Sequence, residues 1–388
     1  MSRKSRFEKI QQLQKHRKST IISYITSTRP NHEIPMAMDA VRLVYDHIKS
    51  LGCSKKDTKI DLFLHSNGGD GVVPWRLVNL IREHCKTFEV LIPYRAFSAA
   101  TLTALGADKI IMHPMGMLGP TDPVVTNHFN PQDPANPNNR LGISVEDVSA
   151  YTKFVKEDFD LNHKDQVVEA LKILSDKVHP LALGNVKRFH SQSRMMASKL
   201  LALHMSKDSE KHKMDQIVKD LTSELFFHGH PISRIEAHDD IGLKVEFPDN
   251  QTEILMWELY KDYEEEMLLD KSFDLVNDFC AVHPDLPVKQ AMQQAVATQS
   301  LNAKTPVSDY VTVNLPKIKG VFVESASHAN VFTLNYSITG VKLLDGSLQI
   351  NASRSRLGWE MEADPAVEGR PGQASQPVEN GQNPQAVV

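Results

Sequence analysis

The sequence predicts an α/β fold with a parallel sheet at its centre, and two adjacent stretches carry that prediction. Residues 60–65 form an apolar run of strand length, followed by Ser66-Asn67-Gly68-Gly69-Asp70-Gly71 and a helical pattern to about Lys86. Residues 88–93 form a second run, followed by a turn over 94–100 and a helical pattern over 101–107. Apolar strands alternating with helical patterns read as βα units. A third short apolar strand, 109–112, precedes Met117-Leu118-Gly119-Pro120-Thr121-Asp122-Pro123. Right-handed crossovers bring both turns to one side of such a sheet. Ligands bind there, outside the carboxyl ends of the strands.

The two turns carry complementary chemistry. Gly68 and Gly69 permit positive φ and a close approach of the backbone to a ligand. Backbone N–H groups at a helix entrance are good partners for an anion or oxyanion. The second turn offers one hydroxyl, Ser98, among the small residues Ala96, Ala99 and Ala100. A nucleophile from one turn and donors from the other are the minimum kit for acyl transfer. Ser98 is therefore the candidate nucleophile. The N–H groups of Gly68 or Gly69, with that of Ala99, are the candidate oxyanion donors. The plainer alternatives are a small residue needed for helix–strand packing and a tight turn without chemistry. The glycine spacing is not that of a dinucleotide-binding loop.

At these residues the chain resembles a known family. His65-Ser66-Asn67-Gly68-Gly69, Ala96-Phe97-Ser98-Ala99-Ala100-Thr101, Leu105-Gly106-Ala107-Asp108-Lys109-Ile110 and Leu118-Gly119-Pro120-Thr121-Asp122-Pro123 look like the motifs of the serine dehydrogenase proteinase family. That family is related to signal peptide peptidase A and shares the Clp/crotonase fold. The resemblance covers roughly residues 19–247. The family usually has Thr-Pro where this chain has Ser66-Asn67, and Met and Gly where it has Phe97 and Ala100.

The resemblance implies a repeated ββα core, an ATP-independent serine endopeptidase, a peptide or protein substrate, and assembly into a homo-oligomer. It also implies a lysine base at the entrance of the helix that follows the site segment. Lys177, just before Val178-His179-Pro180, stands at such an entrance. A lysine serves as base only when its surroundings lower its pKa; Leu171, Leu174, Val178 and Leu181 offer that setting. His179, Lys187 and Lys153 are the alternative bases. Crotonase relatives use the same kind of backbone pair to stabilise a thioester enolate without a serine nucleophile. A CoA-thioester enzyme is thus one rival reading, and a catalytically inactive oligomeric scaffold is another.

Composition narrows the rest. A chain of 388 residues, 41% hydrophobic, holds one large α/β domain and a small accessory region. A net charge of −4 does not call for nucleic acid. Cys53, Cys85 and Cys280 are scattered, with no CxxC pair, which fits a reducing compartment. No secretory apolar region and no run of 18 apolar residues occurs, so a soluble cytoplasmic protein is expected. No cofactor is expected. His228-Gly229-His230 has no carboxylate or cysteine partner at ligand spacing, so no metal is expected either.

Along the chain, residues 1–18 are basic, with Phe7, Ile10 and Leu13 at helical spacing. They read as a solvated helical arm, or as one that makes weak contact with a membrane surface or a partner. A strand over 21–26 and a helix over 36–51 follow. The Asn- and Pro-rich stretch 127–140 reads as a loop, either a lid or a surface insertion. Helical patterns cover 144–156, 164–177 and 180–205, with Pro180 in the first turn of the last. A helix, loop and helix from 221 and a strand at 243–247 close a core domain of 19–250. Residues 251–358 read as an accessory α+β region. Its stretch 254–300 is helical, and 310–350 alternates in period two around a turn at Leu344-Asp345-Gly346. Residues 359–388 read as a disordered tail. His65 is expected as a packed core histidine and Asp122 as a turn residue before Pro123. Trp75 is expected as a pocket wall or as core.

Overall fold

In the computed structural model the described residues are 2–121, 124–125, 127–134, 136, 139–206, 208–224, 229–274, 307–314, 317–343 and 348–362. Five parallel strands form the centre: β1 (Thr20–Thr26), β2 (Lys59–His65), β3 (Thr87–Ile92), β4 (Lys109–Met112) and β5 (Val245–Glu246). Four antiparallel strands continue the same sheet: β6 (Val307–Asn314), β7 (Ile318–Ser325), β8 (Ala329–Leu343) and β9 (Leu348–Glu362). The order is β5-β4-β3-β2-β1-β7-β8-β6, with β9 also pairing β8.

Among the described residues, ten α-helices accompany the sheet: α1 (Arg3–Arg17), α2 (Met38–Ser50), α3 (Val73–Glu83), α4 (Ala99–Leu105), α5 (Val145–Lys153), α6 (Lys164–Lys177), α7 (Pro180–Leu201), α8 (Lys211–Lys219), α9 (Arg234–Asp239) and α10 (Asn250–Met267). Successive strand side chains point to opposite faces, and here both faces are covered. Ile22, Leu62, Leu64 and Val90 pack in one core with residues of α2, α3, α4 and α7. Ile21, Ile25, Phe63 and Leu91 pack in a second core with Ile10 and Leu13 of α1 and Leu255, Leu259 and Tyr263 of α10. Among these helices, α2 shows the resulting one-sided pattern. In α2, the buried side chains Ala40, Val41, Val44, His47 and Ile48 share one face.

Two expectations change here. The basic N-terminal stretch is helical over Arg3–Arg17, but it is not a solvated arm. Arg6, Ile10 and Leu13 are fully buried. Two of its arginines are engaged inward: Arg6 Nε donates to Glu324 at 2.8 Å, and Arg17 donates to Asp61 and Glu89 at 2.6 Å each. The second apolar face of a parallel sheet needs a cover, and α1 and α10 are that cover. Nor is the region after residue 250 a separate appendage. β7 pairs directly with β1, Tyr24 opposite Val323, so the central sheet runs on into it.

Smaller differences follow. A helix forms at Lys211–Lys219 and passes into a π-helical turn at Asp220–Glu224, where the sequence reading began a helix only at 221. β9 extends to Glu362, past the expected start of the tail. α10 ends at Met267 with Leu268 in the left-handed region. The expected helix beyond residue 274, the turn at 344–346, Cys280 and the tail from 363 lie outside the described residues. Among the described residues, no helix is long and apolar enough to cross a membrane.

Arg6 is the centre of the buried ion network. Besides Glu324, it lies 3.5 Å from Glu266 and 3.3 Å from Glu362, and its guanidinium sits 4.6 Å from the centre of the Phe322 ring. Removing one partner of a buried pair strands the other charge. Arg6→Ala is therefore expected to lower unfolding free energy by about 3–5 kcal/mol, read from the urea midpoint. Loss of both charges in Arg6→Ala/Glu324→Ala is expected to cost less than the sum of the two single changes.

Candidate active site

The site forms where β2 and β3 end. Beyond β2, Ser66 continues in parallel pairing with the segment after β3. Ser66 N–H donates to Arg95 O, and Phe97 N–H donates to Ser66 O, both at 3.0 Å. This pairing lays the glycine turn directly against the serine turn. A Cβ on Gly68 would meet Phe97 O at 2.7 Å and Ser98 Cβ at 2.9 Å, and Gly68 has φ +101°. Only glycine meets both constraints at once. Gly69 (φ +153°) is equally close to Met36, whose backbone a Cβ would strike, and it pairs with Met36 in a parallel bridge.

Ser98 sits between the short strand Arg95–Ala96 and α4 with φ 52° and ψ −113°. A non-glycine residue there is strained by about 1–3 kcal/mol. The residue stands at a sharp strand-to-helix corner, as the nucleophile of an elbow does. Ser98 is half-buried, and its Oγ has no hydrogen-bond partner among the described residues. Beneath it, Thr101 Oγ1 lies 2.7 Å from Ala96 O and 2.8 Å from Gly119 O. That hydroxyl ties the start of α4 to the Met117–Gly119 segment. Ser193 of α7 then donates to Thr121 O at 2.5 Å, which clamps this segment from the other side.

The three candidate oxyanion donors are not equivalent. Gly68 N–H is turned inward and donates to Ser66 Oγ at 3.0 Å. Ser66 Oγ also accepts from Thr26 Oγ1 at 2.7 Å. The N–H groups of Gly69 and Ala99 have no protein acceptor among the described residues. Gly68 thus supplies shape, and Gly69 and Ala99 supply free donors. Sequence reasoning missed Ser66 and Thr26, because a hydroxyl at a strand end has no distinctive pattern.

His65 is the core histidine expected. It is fully buried. Its Nδ1 accepts from Arg95 N–H at 3.3 Å, so Nε2 carries the proton and faces Thr28 Oγ1 at 3.0 Å. Burial, with the Arg95 charge, pushes its pKa down to about 3, so the ring stays neutral. Trp75 is half-buried against the core, with Lys199 Nζ 5.5 Å from its ring centre. Asp122 and His228 lie outside the described residues, and His230 pairs with Glu236 at 2.7 Å.

The candidate bases stand apart from this cluster. Lys177 is the last residue of α6 and is exposed; Lys153 ends α5 and Lys187 lies on α7, both exposed. His179 caps α7, accepting from Leu181 N–H at 3.2 Å, and its ring stacks on Phe129 at 4.9 Å. None of the four touches Ser98 among the described contacts. The apolar setting expected around Lys177 is itself on the surface: Leu171 is 54% exposed, Leu181 is 55% exposed, and α6 buries no residue. The loop after residue 127 folds on itself, with Asn130 Nδ2 donating to Leu141 O at 2.8 Å.

With this geometry in hand, comparison with known proteins agrees with the resemblance noted in the sequence. Residues 1–135 match the family described as ClpP-like SDH-type serine proteinase. Ser66, Gly68, Gly69, Ser98 and Ala99 all fall within the match. The chain is 26% identical over 215 residues to an uncharacterized protein of Methanocaldococcus jannaschii, a match spanning 55% of this chain and 63% of that one. It is 33% identical over 78 residues to a second uncharacterized protein of the same organism, spanning 20% of this chain and 27% of that one. The chain thus spans less than two thirds of the length of each relative. Two solved structures of a membrane-bound stomatin-specific protease, one with a substrate peptide, are each 13% identical. They cover 55% and 57% of this chain and 73% and 90% of those chains, with TM-scores of 0.32 and 0.21. Similarity that low transfers no residue role.

Gly68→Ala is expected to abolish labelling of Ser98 by an active-serine probe and to lower the melting temperature, because backbone atoms of residues 97–99 cannot move aside. Gly71→Ala, with nothing within 4 Å of the new Cβ, is expected to leave both nearly unchanged.

Proposed function

We propose that this chain is an ATP-independent serine endopeptidase acting on peptides or proteins in the cytoplasm, with Ser98 as nucleophile. The observation that carries the reading is the strained backbone of Ser98 beside the N–H groups of Gly69 and Ala99, which have no protein acceptor among the described residues. Strain of this kind persists where the surrounding structure imposes it, and it collects at functional sites. A crotonase-type enzyme needs the donors but gains nothing from a strained serine, which makes that rival the weaker reading.

In the proposed mechanism Ser98 Oγ attacks the carbonyl carbon of the scissile bond while a base takes its proton. The carbonyl oxygen becomes an oxyanion and accepts hydrogen bonds from Gly69 and Ala99 N–H groups already in place, which is worth about 3–4 kcal/mol per donor. The tetrahedral adduct collapses to an ester on Ser98, and the protonated base gives its proton to the leaving amine. Water then repeats the sequence and frees Ser98. We assign the base to Lys177, with His179, Lys187 and Lys153 as the alternatives. An exposed lysine needs a cover to serve, and the apolar surface of α6 is where a second copy would provide it. Val168 and Leu171, one turn apart on α6, are each about half exposed, and an apolar surface of that kind marks an interaction site.

A fluorophosphonate probe is expected to label Ser98 covalently, and Ser98→Ala is expected to lose hydrolysis by a factor on the order of 10⁶. An active Ser98→Ala protein would sink the mechanism, and acyl-CoA carried through purification would favour the crotonase reading. Lys177→Ala is expected to be nearly as inactive as Ser98→Ala, with little further loss in the double variant. Lys177→Arg is expected to fail as well, since a guanidinium cannot accept the proton. If His179→Ala loses activity while Lys177→Ala keeps it, the histidine is the base.

Sedimentation at micromolar concentration is expected to give a multiple of the chain mass of 43.6 kDa. Val168→Glu with Leu171→Glu is expected to shift it toward monomer and to lower activity in parallel. A monomeric wild-type protein would remove the proposed cover.

A further inference from the structure

Beside the Gly68–Gly69 turn lies a cavity of about 240 Å³. Its lining comes from Tyr24 of β1, from Pro35 and Ala37 in the segment before α2, and from Phe332, Leu357 and Trp359 of β8 and β9. The polar atoms at its edge already have partners. Trp359 Nε1 donates to Asp39 Oδ2 at 2.8 Å, and Tyr24 Oη accepts from Ala37 N–H at 3.3 Å. What remains facing the space is hydrocarbon and aromatic carbon. The volume is below the ~300–1,000 Å³ of a pocket for a whole small molecule, and it suits a single large side chain.

The cavity shares a wall with the catalytic turn. Pro35 lines it, and Pro35 Cβ lies 2.9 Å from where a Cβ on Gly69 would be. Gly68, one residue back, rests on Ser98. With about 3.8 Å between successive Cα atoms, the path from Ser98 to the cavity wall is roughly 10 Å, or about three residues of extended peptide at ~3.3 Å each. Its outer wall comes from β8 and β9, well beyond residues 1–135 where the family model matches.

We propose that this cavity is a specificity subsite that receives one apolar side chain, aliphatic or aromatic, of the peptide substrate, about three residues from the scissile bond, with Trp359 as its outer wall. The proposal rests on the serine peptidase reading. Asp39 at the rim adds a second effect: its carboxylate repels an acidic side chain at that position.

The test uses the full chain and a peptide set in which one position at a time is Leu, Phe, Gly or Asp. The wild-type protein is expected to prefer Leu or Phe over Gly at one position by about tenfold or more, and to reject Asp there. Ala37→Trp, which fills the cavity, is expected to reduce kcat/KM at least tenfold more for the Leu and Phe peptides than for the Gly peptide, chiefly through KM. Trp359→Ala is expected to shift the preference toward larger side chains. Binding of the same peptides to Ser98→Ala separates the two readings. Hydrolysis without any apolar preference, or equal losses for all peptides in Ala37→Trp, overturns the subsite and leaves the peptidase standing. Tight apolar binding that Ala37→Trp abolishes, without hydrolysis by the wild type, keeps the subsite and removes the peptidase. Neither binding nor hydrolysis overturns both.

Discussion

The contact on which the site depends is the one between Gly68 and the backbone of residues 97–99. Two turns from separate βα units meet there with no room for a single methyl group. The approach is set by register. Ile60 pairs with Phe88 and Phe63 with Leu91 along β2 and β3, and Ser66 extends that pairing to Ala96 beyond the strand ends. Hydrogen bonds through Ser66 Oγ, from Thr26 and from Gly68 N–H, hold the turn in shape. Ser98 is then forced to positive φ, and the cost of that conformation is met by the packing of α4 and the Thr101 ties beneath it. Remove the glycine and the rest of the arrangement has no room to form.

The sheet imposes a second constraint. Its parallel strands are apolar on both faces, so both must be covered. α2, α3, α4 and α7 cover the face nearest the site, and α1 and α10 cover the other. The free edge of β1 is closed by β7, which removes an exposed strand edge. These covers come from the two ends of the chain, and buried ion pairs join them: Arg6 with Glu324, Lys9 with Asp262. Closing the edge of β1 also brings β8 and β9 alongside the Pro35 segment. Trp359 thereby reaches Asp39, 320 residues away in sequence.

The segment from α5 to the first half of α7 follows different rules. α6 buries no side chain, whereas the second half of α7 packs Met196, Ala197, Leu200 and Leu201 into the main core. A smaller cluster of Ile143, Ala182 and Val186 holds its first half. The candidate nucleophile and candidate oxyanion donors thus sit on deeply packed elements, and the candidate bases sit on a segment with little burial of its own. Few buried contacts mean low local stability, so this segment is held less firmly than the helices packed on the sheet.

Much of this was legible in the sequence because it depends on local pattern. The apolar runs at 60–65 and 88–93, the glycine pair, and the lone serine among alanines follow from period, residue type and turn chemistry, and the structure places each in the element expected. Pro180 opened its helix at the predicted residue because proline lacks an N–H that a first turn does not need. What only the tertiary structure decided depends on pairing across long separations. A basic, weakly patterned stretch such as 1–18 looks solvated until an apolar sheet face and Glu324 are set against it. Period-two strands after residue 307 look like a separate unit until β7 meets the edge of β1. That Gly68 N–H bonds inward while Gly69 and Ala99 stay free depends on Ser66 Oγ, and that Lys177 is exposed depends on what covers α6. Sequence period reports which face of an element is apolar; which surface it meets is settled only when the whole chain has packed.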